Sequence, residues 1–182
     1  MPMLRIQGGI WKKTPVKVPK ENVRPTPGRV RETIFNWIKL YKNLEDCIVL
    51  DLFSGSGILG LEAVSRGAKK ALFIDRNEAA VRNIAALSKK LKPFGRISFR
   101  CEDALGWLER EHRNRFDIVF LDPPYQSNAL NKCFPLISTI LNSGALVYVE
   151  KPKSVNLKDL EGFKILNSGK TTTISYQLLR MN

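Results

Sequence analysis

The sequence has no apolar stretch of about 18 residues, so no membrane-spanning helix is expected. Met1-Pro2-Met3-Leu4-Arg5 has no apolar run behind it and does not read as a signal peptide. Cysteine and histidine are scarce. Cys47, Cys101 and Cys133 are far apart and odd in number, no Cys-x-x-Cys occurs, and His112 is the sole histidine. That pattern argues against a disulfide framework and against a zinc centre; no metal is expected, and a reducing cytoplasm fits. Internal repeats and low-complexity tracts are also missing. Acidic residues are in deficit, with Asp+Glu 17 against Lys+Arg 30 and a net charge of +13. A small chain this basic usually meets a polyanion, most often nucleic acid.

What is present is ordinary globular material: 182 residues, 43% of them hydrophobic, enough for one domain with a short extension. The basic excess is uneven. Residues 1–42 carry ten basic side chains and only Glu21 and Glu32 as acids. This segment reads as an arm that grips phosphate, with a merely solvated basic surface as the alternative. Arg5, Lys12, Lys13, Arg24, Arg29 and Arg31 are its candidate nucleic-acid contacts. The Gly8-Gly9 pair predicts a hairpin turn between Leu4-Arg5-Ile6 and Ile10-Trp11. Thr26 reads as a helix N-cap with Pro27 at the first helical position. Val30, Ile34, Trp37, Ile38 and Tyr41 then recur at helical spacing. Residues 1–42 are thus expected to form an extension, and residues 43–182 the main domain.

From Cys47 the pattern alternates. Strands are predicted at 47–52, 71–75, 96–100, 116–122 and 145–150. Helices are predicted at 58–66, 78–92, 104–111 and 127–141. Short apolar strands separated by helices imply a parallel, doubly wound sheet. Gly162 to Asn167 and Thr172 to Arg180 predict a closing hairpin turned at Ser168-Gly169-Lys170. A mostly parallel seven-stranded α/β sheet ending in an antiparallel hairpin is the layout of the Rossmann-like class I methyltransferases that depend on S-adenosylmethionine.

Asp51-Leu52-Phe53-Ser54-Gly55-Ser56-Gly57 leaves the first strand of that sheet and enters a helix. Its glycines permit a sharp turn and a close ligand approach. Gly55-Ser56-Gly57-Ile58-Leu59-Gly60 also matches the dinucleotide pattern, with Asp75 twenty residues after Gly55. Asp51 weighs against a dinucleotide, because a carboxylate there repels pyrophosphate. It suits a ligand with an ammonium and a sulfonium, as in S-adenosylmethionine. Asp103, followed by Ala104, offers an acceptor for an adenine amino group. Asp51, Phe53, Gly55, Gly57, Asp75, Asp103 and Ala104 are the candidate cofactor contacts.

Asp122-Pro123-Pro124-Tyr125 is the sharpest motif in the chain. Consecutive prolines bring carbonyl acceptors without N–H donors and hold the backbone stiff. An acceptor-only site suits the two protons of a planar amino group. The Asp122 carboxylate and the Pro123 carbonyl would hold them and aim the nitrogen lone pair at a methyl carbon. Both bonds strengthen as positive charge develops on nitrogen. Tyr125 would stack on a base that is unpaired or flipped out. Asp122, Pro123, Pro124 and Tyr125 are therefore the candidate catalytic residues.

With these segments in view, the chain resembles the RsmD family of bacterial 16S rRNA guanine-N2 methyltransferases. The resemblance rests on Arg24-Pro25-Thr26, on Arg29-Val30-Arg31-Glu32-Thr33-Ile34-Phe35-Asn36-Trp37, on the glycine loop, and on Phe120-Leu121-Asp122-Pro123-Pro124-Tyr125. Gly8-Gly9 and Tyr148-Val149-Glu150 add to it. It implies an enzyme that methylates N2 of one guanine in 16S rRNA, on the small ribosomal subunit or an assembly intermediate; a monomer is the default expectation for its oligomeric state. Pro27-Gly28 stands where the family leads us to expect Thr-Asp, and Ser54 where Ala is common; the first difference falls in the RNA-contacting segment. A DNA adenine-N6 methyltransferase shares Asp-Pro-Pro-Tyr, but 182 residues leave little room for a target-recognition domain. A protein-glutamine methyltransferase tends to have Asn at the place of Asp122. A non-catalytic RNA-binding module on the same fold is opposed by the intact glycine loop and tetrapeptide.

Overall fold

A computed structural model describes residues 3–19, 26–110, 115–124, 128–155, 157 and 160–182. Arg24, Pro25, His112 and Tyr125 lie outside the described residues. Two short strands, β1 (Met3–Arg5) and β2 (Pro15–Lys17), pair antiparallel with Leu4 opposite Val16. Helix α1 (Gly28–Tyr41) follows. The central sheet is built from β3 (Ile48–Asp51), β4 (Lys70–Asp75), β5 (Ile97–Cys101), β6 (Phe116–Leu121), β7 (Leu141–Pro152), β8 (Phe163–Lys170) and β9 (Ile174–Met181). Four helices complete the fold: α2 (Ile58–Ser65), α3 (Glu78–Leu91), α4 (Ala104–Leu108) and α5 (Ala129–Ile137).

The seven strands run in the order β5-β4-β3-β6-β7-β9-β8. Pairing is parallel from β5 to β7, and β9 is antiparallel to both of its neighbours. Alternation along the strands feeds two cores. Val49, Phe73, Ile118, Phe120 and Tyr148 point to one face, where α1, α2 and the N-terminal hairpin contribute Phe35, Leu61, Ile6 and Trp11. Leu50, Ile74, Val119, Leu121 and Val147 point to the other, against Trp107 of α4 and Phe134 of α5. Both faces are covered, as a parallel sheet requires. Among the described residues, no helix is long and apolar enough to cross a membrane.

Chain direction reverses its lateral order between β3 and β6, so their carboxyl ends flank the crevice where such sheets bind ligands. Register sets Asp51 opposite Phe120, which brings Asp122 out beside the end of β3.

Three local expectations fail, each for a tertiary reason. Gly8-Gly9 does not turn a hairpin into Ile10-Trp11; the second strand begins only at Pro15. The glycines instead let the backbone lie on the end of α2. Ile10 N–H donates to the Ser65 carbonyl (2.8 Å), Trp11 N–H to Ser65 Oγ (2.9 Å), and Ser65 Oγ to the Gly8 carbonyl (2.6 Å). A Cβ on Gly9 would stand 1.8 Å from the Ser65 carbonyl oxygen. Ser168-Gly169-Lys170 lies inside β8, and residues 171–173 make the turn. Gly169 is needed there because the Tyr176 ring crosses it, 2.3 Å from where a Cβ would sit. β7 begins at Leu141, earlier than its apolar run, because the ladder takes a bulge near Gly144 (φ +67°) before regular pairing resumes.

Candidate active site

The loop from β3 to α2 is held by its neighbours' carboxylates. Gly55 N–H donates to Asp75 Oδ2 at 2.6 Å, and Asn77 N–H to Asp75 Oδ1 at 2.8 Å. Gly55 (φ +50°) and Gly57 (φ +72°) both sit in the left-handed region. The third glycine serves packing: a Cβ on Gly60 would stand 2.4 Å from the Phe73 ring. Gly60 N–H donates to Asp51 Oδ2 at 2.9 Å, so the acid that ends β3 is tied to the first turn of α2. Asp51 is 4% exposed. Burial pushes its carboxyl up to about 7; the Gly60 hydrogen bond opposes the shift and Asp75 adds to it. Ser54 Oγ is buried in the same loop with no hydrogen-bond partner among the described residues. Phe53 is half-buried and packs on the second core, and Ala104 is buried at the start of α4. Asp103 is exposed and caps α4, accepting from Gly106 N–H at 2.9 Å.

Asp122 follows β6 and is half-buried, Pro123 is buried and Pro124 exposed. Desolvation raises the Asp122 carboxyl well above the usual carboxylate range, and Glu150 and Asp51 raise it further. The Thr26 hydroxyl opposes them, donating to Asp122 Oδ2 at 3.5 Å. Glu150, 1% exposed on β7, accepts from the Tyr148 hydroxyl at 2.9 Å. Burial and then Glu150 hold that phenol well above its ordinary range, so it stays a neutral donor. Asp51 on β3, Asp122 just past the end of β6 and Glu150 on β7 thus come from three adjacent strands' carboxyl ends, close enough to act on one another. The crevice is walled by carboxyl groups, which a bound cation would draw into the ionised form. Among the described residues, no group of three or more His, Cys, Asp or Glu is placed to hold a metal ion.

The family model described as conserved hypothetical protein 95 matches residues 4–180. The chain belongs to that family, the RsmD family. Ribosomal RNA small subunit methyltransferase D of Haemophilus influenzae is 36% identical, over 96% of this chain and 92% of its own length. The protein of the same name from Escherichia coli K12 is 37% identical over 81% of this chain and 74% of its own. A solved Escherichia coli structure titled "Putative methyltransferase yhhF" superposes with a TM-score of 0.87 at 30% identity, covering 99% and 98% of the two chains. Family membership makes this chain a methyltransferase on the Rossmann-like fold.

The basic segment divides into exposed and buried members. Arg5, Lys12, Lys13 and Arg29 are exposed. Arg5, Lys12, Lys13 and Arg66 line a cleft of about 330 Å³ together with Glu32. Arg66 caps the C-terminal end of α2, the end opposite the glycine loop. Arg31 contradicts its assignment as an RNA contact. It is 3% exposed, and its guanidinium is spent on Glu62 Oε2 (3.3 Å), the Thr26 carbonyl (2.7 Å) and the Arg5 carbonyl (3.0 Å). A core accepts this arginine because Glu62, 0% exposed, neutralises it. Arg66 completes the cluster, donating to Glu62 Oε1 at 2.7 Å and covering the Phe35 ring at 4.8 Å. Sequence reading missed Glu62, Arg66 and Thr26. A signal for Glu62 existed: a lone acid within Ile58-Leu59-Gly60-Leu61-Glu62-Ala63-Val64, an otherwise apolar helix, must be paired. Thr26 gave a misleading one, since α1 has no side-chain cap and the hydroxyl is turned to Asp122 instead.

Proposed function

We propose that this chain transfers the methyl group of S-adenosylmethionine to the exocyclic N2 amine of a guanine in 16S rRNA, on the small ribosomal subunit or an assembly intermediate. The observation that carries the reading is the emergence of Asp122-Pro123-Pro124 from β6 beside the acid-and-glycine crevice of β3 and β4. The names of the Haemophilus and Escherichia relatives support rRNA as the substrate class.

The crevice fits the cofactor. Asp51 is a buried carboxyl with one described donor, and the Ser54 hydroxyl of the same loop has no hydrogen-bond partner among the described residues. Asp51 would take the ammonium group, and Asp75, whose oxygens each keep a lone pair, the ribose hydroxyls. Asp103, capping α4 through one oxygen, would accept from the adenine amine, with Phe53, Gly55, Gly57 and Ala104 shaping the walls. Bound there, S-adenosylmethionine supplies a methyl carbon made electrophilic by the sulfonium.

Asp122 and the Pro123 carbonyl would each accept one amine proton and turn the nitrogen lone pair toward that carbon. These two acceptors would hold the nitrogen in line with the methyl group that the bound cofactor would supply, and the amine proton displaced on transfer would pass along its hydrogen bond to the Asp122 carboxylate and from there to solvent. Positioning and charge stabilisation suffice, without a strong base. Pro124 stiffens the loop, and Tyr125, next in sequence, is assigned the stacking face. Arg5, Lys12, Lys13, Arg24 and Arg29 would hold phosphates, making residues 1–42 the RNA-contacting extension of a 43–182 catalytic domain. The enzyme would act in the cytoplasm as a monomer.

Nucleoside mass spectrometry after incubation with cofactor tests this. Under-methylated small subunits should yield N2-methylguanosine, while free 16S RNA and plasmid DNA should not. N6-methyladenine in the DNA would overturn the assignment.

A further inference from the structure

We propose that the Thr26 hydroxyl is a positioning group for the Asp122 carboxylate, and that the Arg31–Glu62 ion pair is the strut that keeps Thr26 there. The inference rests on the reading of Asp122 as the acceptor of the amine. Thr26 is 2% exposed, and its Oγ1 reaches Asp122 Oδ2 across 96 positions of sequence. At 3.5 Å the contact is longer than the roughly 2.7–2.8 Å of a full O–H···O bond. A hydroxyl on one carboxylate oxygen fixes the plane of the group and leaves the second oxygen to the amine. It is also the one donor described on Asp122, against the like charges of Glu150 from β7 and Asp51 from β3.

The main chain of Thr26 is held as firmly as its side chain. Its carbonyl accepts from Arg31 Nη1 at 2.7 Å, while Arg31 Nη2 holds the Arg5 carbonyl on β1 and Nε holds Glu62 on α2. α2 is the helix whose Gly60 N–H holds Asp51. One guanidinium therefore joins the hairpin, the entry to α1 and the cofactor-side helix. Through Thr26 it also fixes where the acceptor carboxylate sits relative to that helix.

The test uses the full chain with under-methylated small subunits, comparing wild type, Thr26→Val, Thr26→Ser, Arg31→Lys and Asp122→Ala. Val is nearly isosteric and removes only the hydroxyl. It should lower kcat about tenfold, the weight of one hydrogen bond to a charged group. KM for subunits and cofactor affinity by calorimetry should not move. Activity needs Asp122 ionised, so kcat rises with pH through its titration. Loss of a donor to the ionised form raises that titration, and the acid limb of the profile should move to higher pH. Thr26→Ser should restore both kcat and the limb, and Arg31→Lys should reproduce part of the Val phenotype. Wild-type kcat in Thr26→Val, alongside an inactive Asp122→Ala, overturns the inference and leaves the functional reading intact. So does a kcat loss that Ser does not rescue or that leaves the limb in place, since that is a packing effect. Should Thr26→Val not fold, the inference stands on Ser keeping and Arg31→Lys shifting the limb, and falls if Arg31→Lys keeps the wild-type profile. An active Asp122→Ala overturns the functional reading itself.

Discussion

Removing Glu62 should damage this protein more than removing either arginine that it binds. Arg31 and Glu62 are 3% and 0% exposed, so neither can turn to water. Breaking a buried ion pair by deleting one partner costs roughly 3–5 kcal/mol, because the survivor is left uncompensated. The two deletions are unequal here. In Arg31→Ala, Glu62 still has Arg66 at 2.7 Å, and the loss should fall near 3 kcal/mol, including the hydrogen bonds to the Thr26 and Arg5 carbonyls. In Glu62→Ala, Arg66 is 23% exposed and can swing outward, but Arg31 stays buried with only carbonyls to hold it. The cost should approach 5 kcal/mol, a large part of the roughly 5–15 kcal/mol total stability of a domain. A third variant separates charge from packing. Arg31→Met with Glu62→Leu should recover most of the loss, since an apolar replacement of both partners is often neutral. Urea unfolding followed by far-ultraviolet circular dichroism measures all three, with the m-value checking two-state behaviour. A cost below about 1 kcal/mol for Glu62→Ala would refute the reasoning, for that is the weight of a solvent-exposed pair.

Two further expectations concern charge. The Asp51 carboxyl is raised to about 7 by burial, so between the ordinary carboxylate range and pH 7 the folded state holds more protons than the unfolded. Stability of the cofactor-free protein should therefore fall as pH rises through that window. Asp51→Asn should flatten this fall, gain roughly 2 kcal/mol at pH 8, and lose cofactor binding; thermal unfolding and calorimetry would show both, and a stable variant with intact binding would count against Asp51 as the ammonium partner. Arg29→Glu should reduce the salt slope of RNA binding by about 0.7–0.9 per phosphate lost, whereas Arg31→Lys should leave the slope unchanged; equal slopes in Arg29→Glu and wild type would return Arg29 to the solvated surface.

The parallel core was legible because each strand is a short apolar run bounded by a helix signal, and the period that buries Val49 on one face and Leu50 on the other is local. The glycine loop and Asp122-Pro123-Pro124 could be picked out as candidates because the chemistry proposed for each is carried by adjacent residues. What escaped was decided at a distance. Arg31 belongs to the core only because Glu62 faces it from another helix. Gly8-Gly9 and Ser168-Gly169-Lys170 read as turns because glycine has two uses, and only the fold shows that Ser65 and the Tyr176 ring need the space. Thr26 looked like a cap because its true partner lies 96 positions away.

The strand order has a consequence for synthesis. β9 lies between β7 and β8 and supplies the ladder partner of residues 146–152. A growing chain that has delivered β7 and β8 cannot set them side by side in their final places, because the strand that separates them has not yet been made. Until residues 174–181 emerge, β7 presents a bare edge of Leu146, Val147, Tyr148 and Val149, a template for pairing with any passing strand. Completion of this sheet thus waits for β9. Synthesis that stalls between β8 and β9 should yield an aggregation-prone species, whereas a permuted chain that places β9 directly after β7 should close its sheet earlier.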